Sequence, residues 1–420
     1  SLIKFLLVSC TINIDNLYNS LKNYINKDIF GANQDIKNID RIYIQNELKN
    51  NLLSFLGTNL VKKGYYICYM VNKLILTKIG HLELSDRDSY INKRLETTGS
   101  ILSNVFNYSI KAMFMECENI FRKRIGNNLT ALIKPPGALD FLKLDTFDKE
   151  FKSAFTIGEI KSMKRSGVFH VYKQVSYMDS LTHGRMIRTP VGSSRTASKL
   201  VPPRYVQNTQ FGYICPVESP EGKNIGLVKF LSNACNITLL NKNEYSKVYK
   251  ILNEFIINID LVEHYNMYKY KRVFIDGDWV GFTNDPFELR SKFIKFRRNG
   301  VINYQISIRL DYDTLETHIQ TDSGRFIRPL LIVENYSIKL PTSFIEKDKS
   351  WSKYKNSQFI EFIDIEESTT MLIALHFSYL DKNKKLLQSK KTYSQNELVF
   401  KNPNNIIKKY THCEIHQLGI

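Results

Sequence analysis

The chain has 420 residues, with 59 Lys+Arg against 41 Asp+Glu and a formal net charge of +18. Hydrophobic residues are 43% and charged residues 24%, a globular balance that excludes collagen-like, coiled-coil-rod and disordered chains, and the length sets roughly two to four domains. No apolar run approaches the ~20 residues of a membrane-spanning helix, so no membrane partner is expected, and the charge surplus points to a polyanion, most commonly nucleic acid.

The chain opens with Ser1, not Met, which predicts that it begins inside a longer gene product. Residues 2–8 are apolar but lack the basic start and small-residue cleavage site of a leader, so a core strand is expected there. Residues 64–79 read as a helix with Tyr66, Met70, Leu74 and Ile79 on its inner face. A longer helical pattern runs from Tyr90 to Phe121, with Ile91, Leu95, Leu102, Phe106, Ile110, Met113 and Ile120 as its core stripe. Asp86 and Asp88 invite a metal reading, but such a pair more commonly ends one helix and caps the next. Pro135, Pro136 and Gly137 then break the pattern.

From residue 161 to residue 229 the chain is loop-rich and short of acids. Eleven basic residues face three acidic ones, Asp179, Glu218 and Glu221, so +8 of the charge lies in 69 residues. Arg185, Arg188, Arg195, Lys199 and Arg204 are spaced by Gly184, Pro190, Gly192, Pro202 and Pro203. Basic side chains on loops shaped by Gly and Pro can follow a phosphate backbone, and Arg can stack on exposed bases. The bland alternative is a solvated basic loop.

Beyond Asn236 a separate α/β module is expected. Residues 272–281 alternate around Asp276-Gly277, a strong hairpin signal. A helix follows, with Asp285 as N-cap, Pro286 at its first position and Glu288 completing a capping box. Leu289, Phe293 and Phe296 form its inward stripe and Gly300 its stop. Ile306, Ile308 and Leu310 alternate as a strand, and a turn is expected at residues 322–324.

Motifs for self-contained chemistry fail on inspection. Gly222-Lys223-Asn224 lacks the Gly and the Ser/Thr of a P-loop, because Val217 and Asn224 stand at those positions. His412, Glu414 and His416 would share one face of a strand, where a structural polar cluster is a better reading than a metal site. Six Cys (Cys10, Cys68, Cys117, Cys215, Cys235, Cys413) without a C-x-x-C pair give neither a disulfide framework nor a zinc knuckle, as expected for a reducing compartment.

Residues 199–204 (Lys-Leu-Val-Pro-Pro-Arg), followed by residues 211–229 (Phe-Gly-Tyr-Ile-Cys-Pro-Val-Glu-Ser-Pro-Glu-Gly-Lys-Asn-Ile-Gly-Leu-Val-Lys), resemble the fork of the second-largest, beta-like subunit of multisubunit DNA-directed RNA polymerases. Asp86-Arg87-Asp88 with Asn92-Lys93-Arg94-Leu95 and Gly99 resembles that subunit's entry into the second part of its protrusion. Residues 272–281 and 324–330 resemble its first external domain, and residues 410–416 the stretch before its hybrid-binding region. The blocks keep the family's order over residues 45–416. The Lys-Leu-Val-Pro-Pro-Arg and Thr-His-Cys-Glu-Ile-His blocks favour the eukaryotic, archaeal and large-DNA-virus type.

The resemblance implies an α+β, multidomain mixed fold: a helical lobe and protrusion portion, a loop-rich basic fork and α/β external domains. The expected boundaries are 1–85 for the end of the lobe, 86–160 for the protrusion, 161–236 for the fork, 237–345 for external 1 and 346–420 for a truncated external 2. It further implies that His183, Arg185, Arg188, Arg195, Lys199, Arg204 and Lys223 approach nucleic acid. Glu218 and Glu221 would lie beside the active centre, with Glu218 positioning neighbouring basic groups. No catalytic residue is expected in this chain. Mg2+ would be held by the largest subunit, and the family's zinc site would lie beyond residue 420. The implied partners are the largest and smaller polymerase subunits, the DNA template, nascent RNA and NTPs. The compartment would be intracellular: host cytoplasm or virion for a virus, nucleus for a cell.

Two departures qualify these expectations. His183-Gly184-Arg185-Met186 stands where the family commonly has two adjacent Arg, so one basic contact is expected to be lost or moved to Arg188. The segment before Arg165 is short, which leaves the first fork loop unassigned. A stand-alone basic nucleic-acid-binding protein on the same scaffold is the alternative function.

Overall fold

Asn59 starts the first long helix: its side-chain oxygen accepts from the N–H groups of Val61 and Lys62, and Gly80, at φ 86°, ends it. The computed structural model describes residues 41–125, 144–156, 158–160, 165–166, 169–172, 174–189, 200–239, 241–262, 267, 269–338, 359–389 and 409–415. In chain order these residues form α1 (Arg41–Asn50), α2 (Leu60–Ile79), α3 (Thr98–Ile125), α4 (Leu144–Thr156), β1 (Glu159–Ile160), β2 (Arg165–Ser166), α5 (Tyr177–His183), β3 (Met186–Arg188), β4 (Val228–Phe230), β5 (Asn236–Ile237) and α6 (Lys242–Leu252). They continue as β6 (Ile257–Asn258), β7 (Lys271–Ile275), β8 (Asp278–Thr283), α7 (Pro286–Arg298), β9 (Ser307–Leu310), β10 (Thr317–Gln320), β11 (Phe326–Glu334) and β12 (Ser337–Ile338). The last elements are β13 (Ile360–Asp364), the short α8 (Ile365–Ser368), β14 (Ile373–Ala374), α9 (Phe377–Ser389) and β15 (His412–Cys413). Helices and several mixed sheets make this an α+β, multidomain architecture. Residues 1–40, the Pro135-Pro136-Gly137 break and His416 lie outside the described residues.

The largest sequence-marked hairpin forms as its turn chemistry requires. Asp276 (φ 49°) and Gly277 (φ 83°) both take the left-handed region and place Ile275 opposite Asp278. The resulting sheet has the order β6-β8-β7-β10-β9, antiparallel except where β10 runs parallel to β7. One face buries Val273, Ile275, Val280, Ile308 and Ile319 against Val248 and Leu252 of α6 and Leu289 and Phe293 of α7. The other buries Phe274, Trp279 and Phe282 against Tyr69 of α2. Helices on both faces explain why β8 is buried from Trp279 through Thr283.

The α7 cap follows the sequence, with Asp285 accepting from the N–H groups of Phe287 and Glu288. Glu288 does not complete the box; it pairs instead with Lys292 at 2.8 Å. Gly300, at φ 74°, ends the helix, and the N–H of Val301 returns to the carbonyl of Phe296.

Three expected elements differ from the structure. The helix expected from residue 64 begins at Leu60 and turns a different face inward: Tyr69 is buried, whereas Leu74 is 70% and Ile79 63% exposed. The reason is polar. Glu316 on the facing sheet accepts from Tyr69 Oη (2.8 Å) and pairs with Lys73 (3.2 Å) and Arg272 (2.8 Å), so the face with donors at its tips is the one that docks.

The helix expected from Tyr90 starts only at Thr98. Residues 90–92 form one 3-10 turn, with Ser89 Oγ accepting from Ile91 N–H, and Leu95 N–H then bonds the carbonyl of Gly324. Ile91 and Leu95 therefore join the core around Tyr213 and Ile365 instead of a helix stripe. Among the described side chains of α3, Val105 and Ser109 are buried, Val105 against Ala154 of α4, and Phe106 is exposed. Asp86 caps nothing helical; its carboxylate accepts from Asp88 N–H at 2.8 Å, and Asp88 lies 3.8 Å from Lys93.

The second large sheet is built on β11, which pairs with β13, β5, β15 and β12. Buried charges tie it to the first sheet. Arg297 of α7 reaches Glu361 of β13 (2.6 Å) and Glu367 of α8 (2.8 Å), Arg298 also reaches Glu361 (2.8 Å), and Arg325 reaches Asp364 (3.1 Å). Although burial works against its charge, Glu361 is held well below the usual carboxylate range by Arg297, His412 and Arg298. Each of these charges meets its opposite, as a buried pair must.

Candidate nucleic-acid interface

The basic segment is shaped by a short antiparallel pair. Strands β3 and β4 place Arg188 opposite Val228 and Ile187 opposite Lys229. The chain between them must fold back, and two local devices hold the described part. Pro202–Arg204 form a 3-10 turn whose Arg204 guanidinium donates to the carbonyls of Leu200 (3.1 Å), Lys223 (2.9 Å) and Ile225 (2.7 Å). Ser219 closes the second loop: its hydroxyl donates to the Val228 carbonyl (3.1 Å) and accepts from Gly226 N–H (3.0 Å).

Gly226 is the close approach between the two loops. It sits at φ 69°, and a Cβ built on it would lie 2.4 Å from the carbonyl oxygen of Arg204. Gly222-Lys223-Asn224 is a single 3-10 turn, so it is no phosphate-gripping strand-to-helix loop.

These devices bring together Arg188, Arg204, Lys223, Glu218 and Glu221. Lys223 and Glu221 are exposed on the outer turn and Glu218 is half-buried behind it. Glu218 was expected to position basic groups; among the described residues no cation pairs with it, and its backbone N–H faces Cys215 Sγ at 3.4 Å. Arg204 is positioned by backbone carbonyls instead, which supply the same electrostatic complement without a carboxylate. Arg188 is exposed, with Nη1 facing His170 Nε2. His183 ends α5, its ring edge-on to Tyr172 at 5.6 Å between centroids.

Arg185 departs from expectation. Its Nη2 donates inward to the carbonyls of Ser232, Asn233 (3.3 Å) and Cys235 (3.3 Å), holding the turn after β4. Arg195 and Lys199 lie outside the described residues.

Lys229 belongs to the basic segment without a motif of its own. It is 6% exposed, and its Nζ donates to Tyr90 Oη (2.8 Å) and the Pro203 carbonyl (3.2 Å). Burial, reinforced by the neighbouring charge of Lys93, lowers its ammonium to about 8. No sequence pattern distinguishes a buried Lys from a solvated one at this position.

His412 and Glu414 serve separate partners, a buried anion and a buried cation. His412 Nε2 lies 3.0 Å from Glu361, and Glu414 lies 2.6 Å from Arg328. Among the described residues no group of three or more His, Cys, Asp or Glu side chains is placed to hold a metal ion, and no helix is long and apolar enough to cross a membrane.

An α+β chain with a basic, doubly clamped loop pair matches one family four times over. The models described as RNA polymerase Rpb2 domains 2, 3, 4 and 5 match residues 11–96, 170–237, 273–334 and 351–416, in that order. The chain belongs to the family of second-largest subunits of DNA-directed RNA polymerases.

Among its relatives, DNA-directed RNA polymerase subunit 2 of Acanthamoeba polyphaga mimivirus is 30% identical over 372 residues, covering 85% of this chain and 31% of the relative. DNA-directed RNA polymerase II subunit 2 of Arabidopsis thaliana is 30% identical over 407 residues, 92% of this chain and 32% of the relative. The archaeal subunit Rpo2 of Sulfolobus acidocaldarius is 29% identical over 336 residues, 75% of this chain and 28% of the relative. The chain thus spans about a third of the length of these relatives.

Proposed function

We propose that this chain forms the part of a polymerase second-largest subunit that contacts DNA and the RNA–DNA hybrid near the active centre. It serves templated nucleotidyl transfer from NTPs inside a complex with the largest subunit and smaller subunits. On this reading residues 1–85 close the lobe, 86–160 belong to the protrusion, 161–236 are the fork, and 237–345 and 346–420 are external domains. The magnesium of the reaction is assigned to residues of the largest subunit and the family's zinc to a region past residue 420. This chain's own contribution is to place phosphates and bases, which is most of what phosphoryl transfer asks of protein. An intracellular, reducing compartment fits that work.

The observation that carries the reading is the setting of Lys223. Its ammonium is exposed on a turn whose backbone carbonyls are clamped by Arg204, within the segment where the basic surplus concentrates. A cation carried on a fixed turn suits phosphate contact; a solvated loop needs no such clamp. The test is a photo-crosslinking residue at position 223 in the assembled enzyme stalled on a template. Adducts to template or transcript are expected. Adducts to protein alone would contradict the proposal, and nucleic-acid binding by a chain that never enters a polymerase would favour the stand-alone binding protein.

A further inference from the structure

Lys229 has an unusual setting for a cation in a nucleic-acid interface. Its backbone is fixed in β4 opposite Ile187, and its side chain runs inward to the Tyr90 hydroxyl and the Pro203 carbonyl. Among the described residues no carboxylate pairs with it. The ionisable groups around it are Tyr90, whose hydroxyl burial pushes up to about 12, and Lys93 and Asp88 from the same segment. Lys93 lies 4.7 Å and Lys229 5.2 Å from the centroid of the Tyr90 ring. Tyr90 is itself held, by its N–H to Thr209 Oγ1 (3.1 Å) and by edge packing on Phe326 (6.0 Å).

Burying an ammonium with neutral partners gives little stability, and an apolar side chain of similar volume would do as well or better. What Lys229 does provide is a link. Pro203 has no N–H of its own, it directly precedes Arg204, and Lys229 joins its carbonyl to two elements that are already fixed.

We propose that Lys229 is a positioning residue: it anchors the turn bearing Arg204 to Tyr90 and β4, and so sets where the Arg204–Lys223 surface meets nucleic acid. The inference rests on the interface reading above. It assigns Lys229 no contact with nucleic acid, since a side chain this buried cannot meet phosphate.

The test is a mutant cycle in the assembled complex, using Lys229→Met, Arg204→Ala and the double variant, with Tyr90→Phe as a second probe of the anchor. Binding of a labelled RNA–DNA hybrid scaffold and thermal unfolding are both measured. Lys229→Met is expected to weaken scaffold binding roughly three- to tenfold, the scale of a coupled neighbour, and to leave the unfolding midpoint unchanged or higher. The double variant should bind no more weakly than the weaker single one, and Tyr90→Phe should shift binding in the same direction by less. Additive losses in the double variant, or a binding loss matched by a lower unfolding midpoint in both anchor variants, would overturn the anchor. Wild-type binding by Arg204→Ala would overturn the interface reading on which it rests.

Discussion

The Cα of Gly226 faces the carbonyl oxygen of Arg204 so closely that a Cβ would stand 2.4 Å from it. The two loops of the interface therefore touch backbone to backbone, and no side chain fits between them. Gly226→Ala should push the turn of residues 202–204 away from residues 222–225 and lengthen the Arg204 hydrogen bonds. A loss of about 1–3 kcal/mol is expected, from the left-handed backbone and the displaced carbonyl together, and denaturant unfolding reads it. Wild-type stability would show that the loops separate freely.

A second expectation concerns the docking of α2. Glu316 is 1% exposed and shared by Tyr69, Lys73 and Arg272. Glu316→Ala leaves a half-buried Arg272 and a buried hydroxyl without their acceptor. The loss should be about 3–5 kcal/mol, as for breaking one side of a buried pair. Hydrogen exchange should localise it to residues 60–79 and 271–283.

Acid should attack both charge centres. Although desolvation opposes it, Glu316 is held far below the usual range by His318, Lys73 and Arg272, and Glu361 by Arg297, His412 and Arg298. Their folded-state values lie below the unfolded ones, so the stability they contribute is present above pH 4.5, the ordinary carboxylate value, and falls as pH drops toward the folded values. Glu361→Gln should flatten the acid limb of an unfolding-versus-pH curve; an unaltered limb would remove Glu361 from the account.

Alkali should act on Lys229 in the opposite sense. Its folded value of about 8 lies below the ordinary 10.5, so between those values the unfolded chain binds more protons and stability rises with pH. The difference in stability between wild type and Lys229→Met should therefore shift in favour of wild type from pH 8 to pH 10.5. A constant difference would show an ammonium that does not feel its burial.

What was legible in the sequence was chemistry completed within a few residues. Asp276-Gly277 and the helix from Pro286 to Arg298 needed only their own turn and cap residues, and both formed, although Glu288 pairs with Lys292 instead of completing the capping box. What was not legible depended on partners distant in the chain. The buried face of α2 was chosen by Glu316, 247 residues beyond Tyr69. Leu95 left the helical pattern because Gly324 offered a carbonyl, and Arg185 turned inward because residues 232–235 offered three. The composition of the basic segment was plain, but the division between Arg and Lys that hold loops and those that face outward was not.

That division is the central claim, and the salt dependence of binding tests it most directly. In the assembled enzyme, the slope of log affinity for a nucleic-acid scaffold against log salt should fall by about 0.7–0.9 in Lys223→Ala, the value for one lost phosphate contact. Arg185→Ala, whose guanidinium is turned onto carbonyls, should lower stability and leave the slope unchanged. Equal slopes for Lys223→Ala and wild type, or a flattened slope in Arg185→Ala, would contradict the account.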